Sequence, residues 1–195
     1  GQFEAAINCY EMVLAIKPDF ADAYNNLGVA FLNLDQLDKA VKSYKAALKL
    51  KPDFVEAINN LGITFYKLHQ LDDAMNCYDR ALVLDPDFAD AHNNIGTVLL
   101  ERGQLNDAVK SYKEALKLKP EFVEALNNMG LTLNKLLQAH DAIKYYERAI
   151  AIKPDYVDAY ANLAIVLKDL KRFDEVMAIY ESDIILNSNL DFILG

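Results

Sequence analysis

The side chains in this chain of 195 residues that are equipped for chemistry recur as a series of amides. Doublets stand at Asn25 and Asn26, Asn59 and Asn60, Asn93 and Asn94, and Asn127 and Asn128; Asn162 continues the second member where Ala161 replaces the first. Each carboxamide carries a carbonyl acceptor and an NH2 donor, the same pair of functions as a peptide unit, so a row of them is suited to holding an extended backbone. Amides neither titrate nor attack near neutral pH, so that chemistry is recognition. Asn costs up to about 0.7 kcal/mol relative to Ala inside a helix. A run of them on one helix face therefore calls for a compensating role.

The groups that usually catalyse or bind metals do not converge. His69, His92 and His140 occupy unrelated places. His69 with Asp72 and Asp73 has the spacing of one helical turn, yet one imidazole and two acids near a turn read as solvated surface rather than a metal site. Ser43 and Ser111 sit in repeated K-S-Y-K words without a histidine–acid pair to activate them, and Gly103 reads as a turn glycine rather than part of a phosphate loop. Cys9 and Cys77 supply neither a disulfide framework nor ligand spacing, and they fit a reducing, cytoplasmic compartment. The expectation is a non-catalytic chain with no metal and no cofactor. A formal net charge of -9 disfavours a nucleic-acid partner, since phosphates are held by concentrated Lys and Arg. Apolar runs stay well below the roughly 18 residues that suggest a membrane span.

The elements that must position the amides are read from the prolines. Pro18, Pro52, Pro86, Pro120 and Pro154 fall on a single 34-residue grid, within the words KPDF, KPDF, DPDF, KPEF and KPDY. With each repeat numbered from Ala21, Val55, Ala89, Val123 and Val157, position 7 is Leu27, Leu61, Ile95, Met129 and Leu163. Position 8 is Gly28, Gly62, Gly96, Gly130 and Ala164, and position 20 is Ala40, Ala74, Ala108, Ala142 and Val176. Position 24 is Tyr in every repeat, from Tyr44 to Tyr180, and position 27 is Ala until Asp183. Positions 4, 7, 8 and 11 share one helical face, and positions 20, 24 and 27 mark a second helix. Small residues at 8 and 20 allow close backbone approach beside the ring at 24. Proline at position 32 interrupts the second helix. A lone helix pair leaves an apolar flank, so neighbouring pairs must stack.

These residues resemble the tetratricopeptide signature. The resemblance implies an all-α fold, a right-handed α-solenoid of stacked antiparallel helix pairs whose first helices line a concave surface. It divides the chain into 1–20, the second helix of a truncated repeat; repeats at 21–54, 55–88, 89–122 and 123–156; a divergent fifth repeat at 157–190; and 191–195, the start of a C-terminal junction. The half-repeat and the apolar tail read as an excerpt of a longer protein. On the implied groove lie Asn26, Asn60, Asn94, Asn128 and Asn162 at position 6, with Asn25, Asn59, Asn93 and Asn127 at position 5. Position 9 adds apolar pockets at Val29, Ile63, Thr97, Leu131 and Ile165. Stacked helices lie about 8–10 Å apart and an extended chain advances about 3.3 Å per residue, so one Asn per repeat meets a peptide roughly every third residue.

Three explanations of the amides stay open: pairing with a ligand, pairing with each other and with neighbouring helices, or descent from a duplicated ancestor. Under the first, Asn60, Asn94 and Asn128 are replaceable by Ala with the fold intact or slightly stabilised. The carboxylate-clamp subgroup of the resembled family needs groove cations that are missing here, where position 2 is acidic from Asp22 to Asp158. The position-6 series is similar to the ladder in the arrays of O-linked N-acetylglucosamine transferases and SPINDLY-like proteins. The expected function is a scaffold holding a protein or extended peptide, with no nucleic acid and no membrane as partner. Two alternatives accompany it: a substrate-recruiting arm of an O-linked glycosyltransferase, and self-association through exposed terminal helices.

Overall fold

A computed structural model describes residues 1–181. Among the described residues run eleven α-helices and no strand: α1 Gln2–Ile16, α2 Ala21–Asn33, α3 Leu37–Leu50, α4 Val55–Lys67, α5 Leu71–Leu84, α6 Ala89–Glu101, α7 Leu105–Leu118, α8 Val123–Lys135, α9 Ala139–Ile152, α10 Val157–Asp169 and α11 Phe173–Glu181. The end of the fifth repeat, with Asp183, and the 191–195 junction lie outside the described residues. The chain forms two compact units, Gly1–Val98 and Leu99–Gly195.

In the first unit the core gathers Leu27, Phe31, Tyr44 and Leu61, and α1 adds the partly buried Ile7, Tyr10 and Leu14. In the second it gathers Tyr112, Met129, Leu133, Tyr146, Leu163 and Val166. The glycine at position 8 is needed because the tyrosine of the same repeat lies against its backbone. A Cβ on Gly28 would sit 2.6 Å from Tyr44 Cε1, one on Gly62 2.5 Å from Tyr78 Cε1, and one on Gly130 2.6 Å from Tyr146 Cε1. Those distances are shorter than carbon–carbon contact allows. The tyrosines at 44, 78, 112 and 146 are fully buried.

Each first helix opens with an acid in its first turn, Asp22, Glu56, Asp90, Glu124 or Asp158, which complements the helix macrodipole where no side chain caps α2, α4, α8 or α10. Second helices stop before proline: Lys51, Lys119 and Lys153 leave the helical region, with ψ of 89°, 86° and 89°, as a following proline favours. In four of the five proline words the Lys then stands over the aromatic at position 34. Lys17 reaches Phe20, Lys51 Phe54, Lys119 Phe122 and Lys153 Tyr156, with ammonium-to-ring distances of 4.8, 4.4, 4.3 and 5.4 Å. Asp85 replaces the Lys in the remaining word.

The turn between the two helices of a repeat has the same geometry throughout. The N–H of Gln36 reaches the carbonyl of Phe31 at 2.9 Å while the N–H of Asp35 reaches that of Leu32 at 3.1 Å, the paired bonds of a Schellman motif. Gln70, Gln104, Gln138 and Arg172 repeat the longer bond, each at 2.9 Å. The motif puts position 15 in the left-handed region, with φ of 55° at Asp35, 56° at His69, 73° at Gly103, 62° at Leu137 and 59° at Lys171. Only Gly103 has the residue type that conformation favours. For an L-residue the left-handed region costs roughly 1–2 kcal/mol, part of which Gly gives back through its freer unfolded chain. Leu137 is 90% exposed, so truncation there removes little packing. Leu137→Gly is expected to stabilise the chain by about 0.5–1 kcal/mol and Gly103→Ala to destabilise it by about 1 kcal/mol. Urea denaturation with far-UV circular dichroism measures both, and a Leu137→Gly protein no more stable than its parent would contradict the strain.

Candidate functional site

The amides meet one another before they meet anything else. The position-5 residues Asn25, Asn59, Asn93 and Asn127 are buried, between 5% and 8% exposed. The position-6 residues stand beside them nearer the surface: Asn60, Asn94, Asn128 and Asn162 half-buried, Asn26 exposed. Asn60 Nδ2 donates to Asn25 Oδ1 at 3.2 Å, Asn94 Nδ2 to Asn59 Oδ1 at 2.9 Å, and Asn162 Nδ2 to Asn127 Oδ1 at 2.9 Å. Each bond runs from position 6 of one repeat to position 5 of the repeat before. The three bonds tie α4 to α2, α6 to α4, and α10 to α8. Within the doublets Asn25 donates to Asn26 and Asn93 to Asn94, both at 3.4 Å.

Nearby hydroxyls satisfy the helix backbone. Thr64 Oγ1 donates to the carbonyl of Asn60 at 2.8 Å, Thr97 Oγ1 to that of Asn93 at 3.1 Å and Thr132 Oγ1 to that of Asn128 at 2.8 Å. A position-6 amide whose first N–H is so engaged keeps a second N–H and a carbonyl lone pair on its outer edge. Beside that edge, Val29, Ile63, Thr97 and Leu131 at position 9 are half-buried, and Ile165 is 53% exposed. Val29 also packs on the core of the first unit. Within each unit the arrangement is therefore a set of buried carbonyls, a set of more exposed amides, and an outer set that is mostly aliphatic.

The bonds made by Asn60 and Asn94 bear on the expected effect of Ala at those positions: each substitution would strand a buried position-5 carbonyl, so a loss of stability is expected in place of a gain. The signal for the pairing was present in the doublets, which place a donor and an acceptor on adjacent residues in successive repeats.

The remaining polar groups stay apart. His69 is an exposed turn residue, and His92 Nε2 lies 3.1 Å from the carbonyl of Pro86 at the half-exposed edge of position 4. Ser43 is buried and its Oγ donates to the carbonyl of Lys39 at 2.9 Å. Burial pushes the Cys77 thiol up to about 11, which keeps it protonated at neutral pH, whereas Cys9 is exposed. Burial likewise lifts the phenols of Tyr44, Tyr78 and Tyr146 above their ordinary value. Among the described residues no three His, Cys, Asp or Glu side chains are grouped to hold a metal ion, and no helix is long and apolar enough to cross a membrane.

Comparison with known proteins agrees with the helix-pair architecture. A family profile described as the cilia and flagella-associated protein 70 C-terminal domain matches residues 1–183. Among solved structures, MamA is 26% identical with a TM-score of 0.66, over 78% of this chain and 89% of that one. The pilF protein of Pseudomonas aeruginosa is 24% identical with a TM-score of 0.77, over 85% and 75%. YrrB, described as a TPR protein with an unusual peptide-binding site, is 19% identical with a TM-score of 0.64, over 95% and 94%. These structures share the all-α solenoid of stacked helix pairs. No curated protein sequence matches the chain.

The amide bonds make a quantitative claim. Loss of one partner from a buried hydrogen bond costs about 1–3 kcal/mol, against a helix-propensity gain of at most about 0.7 kcal/mol. Asn94→Ala is thus expected to lower stability by about 1–2 kcal/mol. Asn59→Ala combined with Asn94→Ala should cost clearly less than the sum of the two single changes, with a coupling of about 1 kcal/mol. A double-mutant cycle by urea denaturation measures this, and strictly additive effects would remove the bond from the account.

Proposed function

The chain belongs to the family of the cilia and flagella-associated protein 70 C-terminal domain, an array of the tetratricopeptide type, and we propose that it is a non-catalytic scaffold holding an extended segment of another protein along its first-helix face. One observation carries the reading: the half-exposed outer edge of the amide row lies beside an accessible aliphatic row at position 9. The amides supply backbone recognition and the aliphatic row supplies side-chain sockets, the two parts that an extended ligand needs. The description of YrrB as peptide-binding lends support from the fold. The family's namesake is associated with cilia and flagella, and holding the parts of such an assembly together is work for a binding array. No cofactor enters this function.

Since position 6 is also structural, the test acts at position 9. Dodecamer peptides selected on phage against the chain are expected to lose about tenfold in affinity, roughly 1.4 kcal/mol, on Ile63→Asp or Ile165→Asp. Lys42→Glu, on the exposed surface of α3, should leave their binding unchanged. Fluorescence anisotropy measures the affinities, and peptides indifferent to both position-9 changes would overturn the reading.

Two narrower readings keep an observation each. The unbroken position-6 series also supports a substrate-recruiting arm of an O-linked glycosyltransferase, which the gene sequence following Gly195 decides. Self-association draws on α1, where Met12 and the 86% exposed Ile16 present apolar surface and no residue is buried. In that case Met12→Lys with Ile16→Lys abolishes any dimer seen by sedimentation velocity, and a dimer that persists excludes α1 as its interface.

A further inference from the structure

Successive second helices leave a cavity of about 510 Å³ in the second unit. It opens between α7 and α9 over the end of α8. Its floor is apolar, made by Met129, Leu133 and Leu136, and Tyr145 lines it from α9. Cations also line it: Lys113 from α7, Lys144 and Arg148 from α9. The acid among them, Asp141, is occupied by Lys144 at 2.8 Å. Arg148 reaches the carbonyl of Pro120 at 3.4 Å and stands 5.7 Å from the Tyr145 ring. Neither Lys113 nor Arg148 has a carboxylate partner among the described residues. In a chain with a net charge of -9, an apolar hollow with three cations against one acid is out of keeping with its surroundings.

The repeat grid supplies an internal control. At the corresponding place between α3 and α5, Phe65 stands where Leu133 does, and Lys45 Nζ lies 5.8 Å from its ring. There Cys77 takes the place of Tyr145, Asn76 that of Lys144, and Asp38 that of Asn106. The charges balance in number there, Asp38 and Asp73 against Lys45 and Arg80. A hollow of about 300 Å³ recurs at the corresponding place between α1 and α3, where Phe31 stands for Leu133 and Glu4 and Glu11 stand for Asn106 and Lys113. Stacking therefore opens the space; the smaller floor residue accompanies the larger volume between α7 and α9, and two exchanges relative to α3 and α5 make it cationic. The neighbouring turn adds a second, independent oddity: Leu137, between the lining residues Leu136 and Gln138, combines a φ of 62° with 90% exposure. Nothing in the fold rewards a leucine there.

We propose that this hollow is a docking site, separate from the first-helix face, for an acidic segment of a partner protein that inserts one large apolar side chain. The apolar floor receives the side chain, and Lys113 and Arg148 meet the carboxylates flanking it. Leu137 contributes apolar surface at the rim. The volume lies in the range of about 300–1,000 Å³ common for ligand sites, and charge complementarity selects an acidic partner over a basic one.

The probe is an acetylated, amidated peptide of sequence Gly-Asp-Glu-Phe-Glu-Asp-Gly, titrated into the isotope-labelled chain and followed by amide chemical shifts. Shifts concentrated on α7, the end of α8 and α9 are expected. Lys113→Glu with Arg148→Glu should weaken binding by about fivefold or more, and so should raised salt. Leu133→Phe, which restores the floor residue of the first unit, should weaken it comparably, and Leu137→Gly should weaken it while stabilising the fold. A peptide with Lys in place of its acids should not bind. The proposal fails if no shifts arise up to about 2 mM peptide, if they lie on another face, or if the charge-reversed protein, folded by circular dichroism, binds as well as its parent.

Discussion

The contact of a tyrosine ring with a glycine backbone sets the dimensions of each repeat. Where Tyr44, Tyr78 and Tyr146 lie on Gly28, Gly62 and Gly130, there is no room for even a methyl group, so the spacing of the two helices within a pair is fixed by steric exclusion rather than by a bond of particular strength. With that distance fixed, the alanines at positions 20 and 27 pack without exposure. The outer faces of both helices are then determined, and with them which residues can meet a partner.

The amide row shows how a polar group is kept on such a structure. An Asn inside a helix lowers helix stability, and a buried one without a partner lowers protein stability further. Pairing position 6 with position 5 of the preceding repeat removes both objections at once, because donor and acceptor satisfy each other across the repeat junction. The bond is directional, so it also fixes the register of one first helix against the next, which apolar packing alone specifies less sharply. On the proposed function, recognition and stability draw on the same side chains. The outer N–H and carbonyl of Asn60, Asn94 and Asn162 are held in place by the bond that the inner N–H makes.

Much of this was legible in the sequence, and for stated reasons. The proline grid, the position-8 glycines and the position-24 tyrosines are dictated by backbone geometry, and geometry that recurs leaves a period. The direction of the amide bonds was less legible: the doublets are consistent with ligand pairing and with mutual pairing, and only the burial of position 5 decides that its carbonyl faces a neighbour. The left-handed residue at position 15 was visible at Gly103 alone. Asp35, His69, Leu137 and Lys171 adopt the same conformation because the two Schellman bonds hold the turn whatever its side chain. The cationic character of the hollow between α7 and α9 could not be read from any single repeat, since it arises from a difference between repeats.

That difference points to where specificity can reside on an array of this kind. Positions 6, 8, 20, 24 and 27 are nearly invariant from repeat to repeat, and where their contacts are described they meet recurring neighbours, so a change there is felt as lost stability. Position 23, by contrast, runs Ser43, Cys77, Ser111, Tyr145 and Ile179, and position 22 runs Lys42, Asn76, Lys110, Lys144 and Ala178. These lie on the second helices, beside the packed stripe and outside the glycine–tyrosine contact. A residue at such a position can change size or charge without altering the spacing of the pair. The invariant positions therefore build a uniform support, and it is the positions free to vary, on either face, that can give one layer a binding property its neighbours lack.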